Sequence, residues 1–562
     1  MPRGLTQGLW TCALLAVCGG NVPVFVEKST SETVDSTTSS APVTTGMQSD
    51  GGSTELQPTG ASSSSSADSS TITPTDPCPP GKPECMPCLP GQYRCVGLVV
   101  QGCVEESWLD LETCDPLLGL TCAPEGFCTG ECSGLGDSHI GCDYFPVTTA
   151  QDSTAFVDNT FAVAVVNAGK SAASVNVTYD GDTIAEGVVP VGSALVIPLP
   201  RISALTDAID TNLVKGGSYR LRSTAPVTVY QYNTLKKSSS NDASVLFPSN
   251  SWTGDYIVAS WHHWDSFNSP GLVAVTASQD DTLVTITPPQ GGTPTDPGVG
   301  IEGDGYGDVV LDRGDVLQLF SRHFGDFTGM HVTADKPIQV LGGHQCTAVP
   351  SESFACDHLE EAMIPFEALG RNYAVVPPVQ WPDTEQAKAV FVRVIAAEAA
   401  TTLSFEPDQQ ATKYLLNVGD FAELGPVTEA FTVSSDKKIV VAQYMVSQEY
   451  GYGWSDPAMV LAIPREQQRA NYVLYAHPSW LASYVDITSD MDSEVLVDGV
   501  AVKTFMKVGN SDVAFAHVPL SNAGDGVHRI VAKSPIGVSV YGVGDYGSYW
   551  YPGGLNVAII PQ

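Results

Sequence analysis

From residue 143 to the end of the chain, apolar and polar positions change over in short runs rather than at helical spacing. "FAVAVVN" from Phe161, "SVNVTY" from Ser174, "ALVIPLP" from Ala194 and "VTVYQY" from Val227 either alternate or run apolar for five to eight residues. Gly, Asp and Pro separate them. This is the signature of half-buried and fully buried strands, and no amphipathic helix pattern interrupts it. The fold class expected is all-β.

The pattern also returns. "STAPVTVYQY" (223–232) is echoed by "ADKPIQVLGG" (334–343), "SSDKKIVVAQY" (434–444) and "KSPIGVSVYG" (533–542), and aligning Val227, Ile338, Ile439 and Val538 spaces the echoes by about one hundred residues. Upstream of three of them the same order holds: a Tyr-led strand ("DYIVAS", "NYAVVPP", "NYVLYAHP"), an apolar strand, then a short one. Six or seven strands per hundred residues suits one β-sandwich. The expectation is four tandem β-sandwich-like repeats over 143–250, 251–366, 367–465 and 466–562. A β-propeller with two blades per repeat is the alternative.

Composition changes the picture before residue 143. Residues 19–77 are rich in Ser, Thr, Gly and Pro, and from 29 to 77 they hold no aromatic residue; such a stretch cannot bury enough surface to order itself and reads as a tether. Residues 78–142 carry ten of the 14 cysteines, which in an exported chain reads as a disulfide module standing in for a core. A zinc reading of Cys85 and Cys88 lacks a matching second ligand pair. Residues 1–18 combine Arg3 with a short apolar run ending "LAVC", the pattern of an export signal, with Cys18 as the candidate lipidated residue. An ordinary secretory peptide without anchor is the alternative. The localisation expected is exported, at the cell surface or outer membrane as a lipoprotein, or else secreted.

Charge narrows the partners. The chain has 26 Lys and Arg against 62 Asp and Glu, a formal net charge of −36, so nucleic acid is excluded as a partner and an anionic membrane surface would be repelled. Contact with a membrane is expected only through the lipid anchor.

The block "GGHQCTAVPSESFACDHLEEAMIPFEALGRNYAVVPP" (342–378) resembles the core signature of the IgGFc-binding protein N-terminal domain family. "GSYRLRSTAPVTVYQYNTL" (217–235), "SNDASVLFPSNSWTGDYIVASW" (240–261) and "YGVGDYGSYWYPGGLNV" (541–557) are similar to its bacterial branch, as is the Cys-rich segment ending "IGCDYFPVT". The resemblance spans about 140–562. It implies an extracellular scaffold, associated in animal members with mucus proteins and with the Fc part of immunoglobulin G. It supplies no contact residues for this chain, because a family fixes a scaffold and function lives in sites.

Candidate chemistry is sparse. Cys346 and Cys356 close a loop around a Val-Pro turn, and in an oxidising compartment the expectation is a disulfide; with His344 and His358 they also have the ligand types of a Cys2His2 zinc site. Asp357, His358, Glu360 and Glu361 invite an acid–base reading, but no GxSxG or HExxH accompanies them, and the expectation is a loop-anchoring turn with solvated glutamates. Glu302, Asp304 and Asp308 are weak calcium candidates in a Gly-rich loop whose spacing departs from the EF-hand. Trp261, His262, His263 and Trp264 form the candidate binding cluster, aromatic with polar tips. No cofactor is expected, and no enzyme. The function expected is a non-enzymatic, surface-anchored binding or adhesion protein for an extracellular protein or glycoprotein. An envelope component without a soluble ligand, and a secreted hydrolase, are the alternatives.

Overall fold

The computed structural model describes residues 88–151, 160–236 and 240–561. The signal, the tether and Cys18 lie outside the described residues, as do Cys78 and Cys85. Strands dominate what is described, and the α-helix among the described residues is the single turn Ser203–Thr206.

The Cys-rich segment is a three-stranded meander (Tyr93–Val96, Val99–Val104, Ser107–Thr113) followed by a hairpin, Thr121–Ala123 with Phe127–Thr129. Four disulfides hold it: Cys88–Cys103, Cys95–Cys122, Cys114–Cys128 and Cys132–Cys142. They are needed because the segment buries little, with Leu109 and Leu111 both exposed. It leans on the following β region through an ion pair between Asp115 and Arg222, 3.0 Å.

Four sheet systems follow, and one pairing scheme recurs in them. In the first, the long strand Arg220–Tyr232 pairs early with Gly141–Tyr144 and Ala173–Tyr179, then late with Phe161–Val166 and Ala243–Leu246. His331–Thr347 does the same with Thr253–Ile257 and Thr282–Thr287, then with Gly271–Ala277 and Asp357–Ala362. Val527–Gly544 pairs early with Arg469–Tyr475 and Val495–Val497, then with Ala482–Asp490 and Gly547–Pro552. In the third system the long strand is interrupted, and Phe431–Ser435 and Ile439–Met445 divide the partners.

The echoed segments are the crossing points where each long strand changes sheets. Pro226, Pro337 and Pro535 sit there; a proline cannot donate to a ladder and marks the bend. Lys438 takes that place in the interrupted strand. The Tyr-led strands explain themselves at the same points. The hydroxyls of Tyr144, Tyr256, Tyr373 and Tyr472 donate to the carbonyls of Val227, Ile338, Ile439 and Ile536 at 2.5 to 2.8 Å. Each accepts in turn from the amide three residues before it. The structural equivalent in the last echo is therefore Ile536, two residues before the Val538 that sequence similarity selects. Hydrophobic matching alone slid that alignment, because alternate residues on a strand share a face.

The last strand of each scheme goes inward. Ala243–Leu246, Asp357–Ala362, Met459–Leu461 and Gly547–Pro552 pack against one another, and the main hydrophobic core draws residues from Tyr144 to Val557, beside a second core in which Tyr373 and Phe431 join Tyr484, Tyr541 and Trp550. The fourth system also returns to the first: Ser138 bridges Asn556, and the Tyr230 and Tyr232 rings pack on Tyr551 and Tyr549, centroids 4.8 and 5.6 Å apart. Gly554 makes this approach possible, since its φ is +134° and a Cβ there would run into the His139 ring. The sheet systems thus form a closed sequence of contacts. One boundary is crossed as well: Asn212–Val214, within 143–250, pairs with Val316–Phe320 of the second system.

Candidate functional site

A cluster of buried acids lies where the four inner strands meet. Asp242 is fully buried and accepts from four backbone amides, those of Ala243 (2.9 Å), Trp550 (3.1 Å), Glu360 (3.1 Å) and Met459 (3.1 Å), one from each of the four inner strands. Asp357 accepts from the Asn241 and Ser548 amides. Glu360 accepts from Thr149 and Gln231, both at 2.6 Å, and faces His358 at 3.5 Å; these bonds overcome the burial that opposes its ionisation and hold its carboxyl below the usual range. Burial, and next the neighbouring Asp456, push Asp357 well up, and burial does the same to Glu361, which accepts from Ser244 at 2.6 Å. The solvated glutamates expected from the sequence are instead sealed, because four strand ends converge over them. His344 and His358 are equally buried, and burial holds the His344 imidazole well below its ordinary range. Cys346 and Cys356 are bonded to each other and offer no thiolate.

Around this seam, the loops that connect the long strands to the inner strands come together at one face. The Ser447 amide donates to Val349 (2.8 Å), the Ser447 hydroxyl to Ala355 (3.1 Å) and the Gln448 side chain to Asp545 (2.9 Å). What these loops expose is aromatic: Phe354, 66% exposed inside the Cys346–Cys356 loop, then Tyr450, Tyr452, Trp454 and Tyr546. Phe267 joins Phe354 from the neighbouring loop, centroids 6.3 Å apart. Tyr452 continues into a cleft of about 800 Å³ that Gln380, Glu385, Tyr484, Phe515 and His517 also line.

The aromatic cluster marked in the sequence serves this face from beneath. Trp261 is 1% exposed, because the buried Arg393 guanidinium lies 4.1 Å over its ring while binding Asp326 and Glu423, both at 2.9 Å. Trp264 is 4% exposed, stacks on Phe267 at 4.1 Å and donates its indole N–H to Ser351. The His262 ring lies 2.5 Å from the Ser351 hydroxyl. His263 is buried beside Asp265. Phe354, Tyr450, Tyr452 and Trp454 are rings that the sequence reading passed over; a phenylalanine between two disulfide-bonded cysteines in "SESFAC" was the available signal. Glu302, Asp304 and Asp308 stay spread along their hairpin, with Asp308 accepting from Thr285 (2.6 Å) and Asp304 from the Tyr306 amide (3.3 Å).

Fold and site together define a class: a disulfide-bonded, all-β protein, matured in an oxidising compartment, that seals a cluster of acids and histidines between its inner strands and turns aromatic rings outward. The family model described as IgGFc binding protein matches residues 242–542, more than half of the chain, and the chain belongs to that family. The human "IgGFc-binding protein" is 28% identical over 253 residues, which cover 42% of this chain and 4% of the human protein. The chain therefore corresponds to a small part of that relative's length. Among the described residues no helix is long and apolar enough to cross a membrane.

Proposed function

We propose that this chain is a non-enzymatic, exported binding protein that captures an extracellular protein or glycoprotein on the loop face carrying Phe267, Phe354, Tyr450, Tyr452 and Trp454. The observation that carries the reading is that face itself: exposed rings on loops tied down by a disulfide and by cross-loop hydrogen bonds. Rigid exposed aromatics lose little entropy on binding and supply most of the energy of protein contacts. The human relative's name makes the Fc part of immunoglobulin G the first partner to test, and mucin-type glycoprotein the second. The sealed state of His344, His358 and Asp357 supports a binder over a hydrolase, since a substrate has no path to them.

On this reading the units at 143–250, 251–366, 367–465 and 466–562 are copies of one module, and the second, third and fourth supply the loops of the face. Residues 19–77 hold the head away from the cell, and Cys18 carries its lipid. The test is partner capture by full-length protein, with Fc and mucin each immobilised, comparing wild type with Phe354→Ala and with Tyr452→Ala plus Trp454→Ala. Capture reduced by about ten-fold in both variants, with folding intact, is the expected result. Equal capture by all three would move the contact surface elsewhere.

A further inference from the structure

Beside the aromatic face, two turns bring together three ligand-bearing side chains that the reading above does not use. The His263 amide donates to the Gly325 carbonyl at 2.8 Å, which pins the first turn to the second. Its Nδ1 lies 2.8 Å from Asp265 Oδ1. His323, on the second turn, places its own Nδ1 2.9 Å from the same oxygen, and the imidazole centroids are 5.1 Å apart. Among the described residues this is the group of three or more His, Cys, Asp or Glu whose ligand atoms converge, all within 4.8 Å of one another. One oxygen thus serves two imidazole nitrogens.

We propose that His263, Asp265 and His323 form a surface site for a divalent transition-metal ion of the zinc class. Two imidazole nitrogens and one carboxylate oxygen are the donors such ions choose, whereas calcium and magnesium require oxygen-rich sites. Donors at about 2.1 Å from a tetrahedral ion stand about 3.4 Å apart, so the two nitrogen–oxygen pairs open by about half an ångström on loading. That adjustment falls to the second turn, because His263 is buried while the His323 side chain is 60% exposed. The positions of the turns are set independently of any ion. Trp264 and Ser269 bridge the base of the first. Phe324 adopts φ +63° in the second, and its amide donates to Asp265 Oδ1 at 3.2 Å. Exposure at His323 leaves the fourth coordination position to water, the pattern of an open rather than a closed site. Metal binding would lock the 261–269 and 322–325 turns together next to Phe267. The proposal stands on this geometry and not on the identity of the partner.

The experiment uses the full-length, tag-free protein stripped with chelator and titrated with zinc chloride by calorimetry, with cobalt(II) absorption as a second readout. Expected are one equivalent bound at micromolar or lower concentration, a tetrahedral cobalt spectrum, and no response to calcium. His323→Ala alters an exposed turn and should leave the thermal transition of the apo protein unchanged while weakening zinc at least about ten-fold; Asp265→Asn should weaken it comparably. His477→Ala, on another loop, should bind as wild type does. Absence of binding, or binding that persists at wild-type strength in both His323→Ala and Asp265→Asn, overturns the site. Loss of Fc or mucin capture with zinc binding retained would count against the proposed function alone.

Discussion

The loop 346–356 and the strand Asp357–Ala362 are neighbours in sequence and opposites in environment. The loop exposes Phe354, while the strand buries an aspartate, a histidine and two glutamates completely. Polarity did not decide which went inside. The strand is one of four that converge, and each backbone amide in that convergence must find an acceptor; carboxylates supply several acceptors per side chain where no water is present. The loop lies at the end of the same strands, where its tip reaches solvent and a disulfide and a few contacts from neighbouring loops hold it.

Breaking the convergence of the inner strands tests the comparison most severely. Asp242→Ala strands four amides from four inner strands, and each orphaned buried donor costs about 1–3 kcal/mol. Expected is loss of the cooperative guanidinium transition, or a fall of more than about 4 kcal/mol in unfolding free energy; a shift of a few tenths would show that Asp242 does not join the strands. Next comes acid. His139 lies 2.8 Å from the Leu555 carbonyl where the last system meets the first. Burial, and then the charge of Arg469, push its imidazole down from 6.5 to about 3. Because the folded value lies below the unfolded one, this stability is fully present above pH 6.5 and is lost as pH falls toward 3. The loss amounts to about 3 kcal/mol between pH 6.5 and 4. His139→Asn should flatten the denaturation profile in that window; an unchanged profile refutes a buried neutral His139.

Opening the loop is milder. Cys346→Ser with Cys356→Ser should cost about 2–3 kcal/mol of stability and should also loosen partner capture, since Phe354 loses its support. A mass spectrum showing no disulfide in the wild-type protein would remove the premise. Phe354→Ala separates the two regions most cleanly: stability within about 0.5 kcal/mol of wild type, with capture down about ten-fold. The smallest effect concerns charge. At a net −36, capture should weaken several-fold between 50 mM and 300 mM salt, chiefly in the association rate; salt-independent association would argue for an uncharged contact.

Strand positions, the Tyr-led strands, the echoed segments and the cysteine-dense module were legible because each rests on local chemistry: side-chain alternation, a proline at a bend, sulfur density. The hydroxyl of Tyr144 reaching Val227 could be anticipated only as a recurring letter, not as a bond. Trp261 and Trp264 misled because Arg393, 132 positions beyond Trp261, covers one ring and the Cys346–Cys356 loop covers the other. The glutamates of "DHLEE" misled for the same reason.

By itself the sequence determined that the β region is built of strands, that cysteines such as Cys346 and Cys356 pair, and that its segments recur, since alternation and cysteine spacing act over a few residues at a time. Tertiary structure alone decided which polar groups are sealed, which rings face outward and which histidines meet. Those outcomes depend on segments hundreds of residues apart, such as the bridge between Ser138 and Asn556, and burial is a property of what arrives from elsewhere rather than of the residue itself.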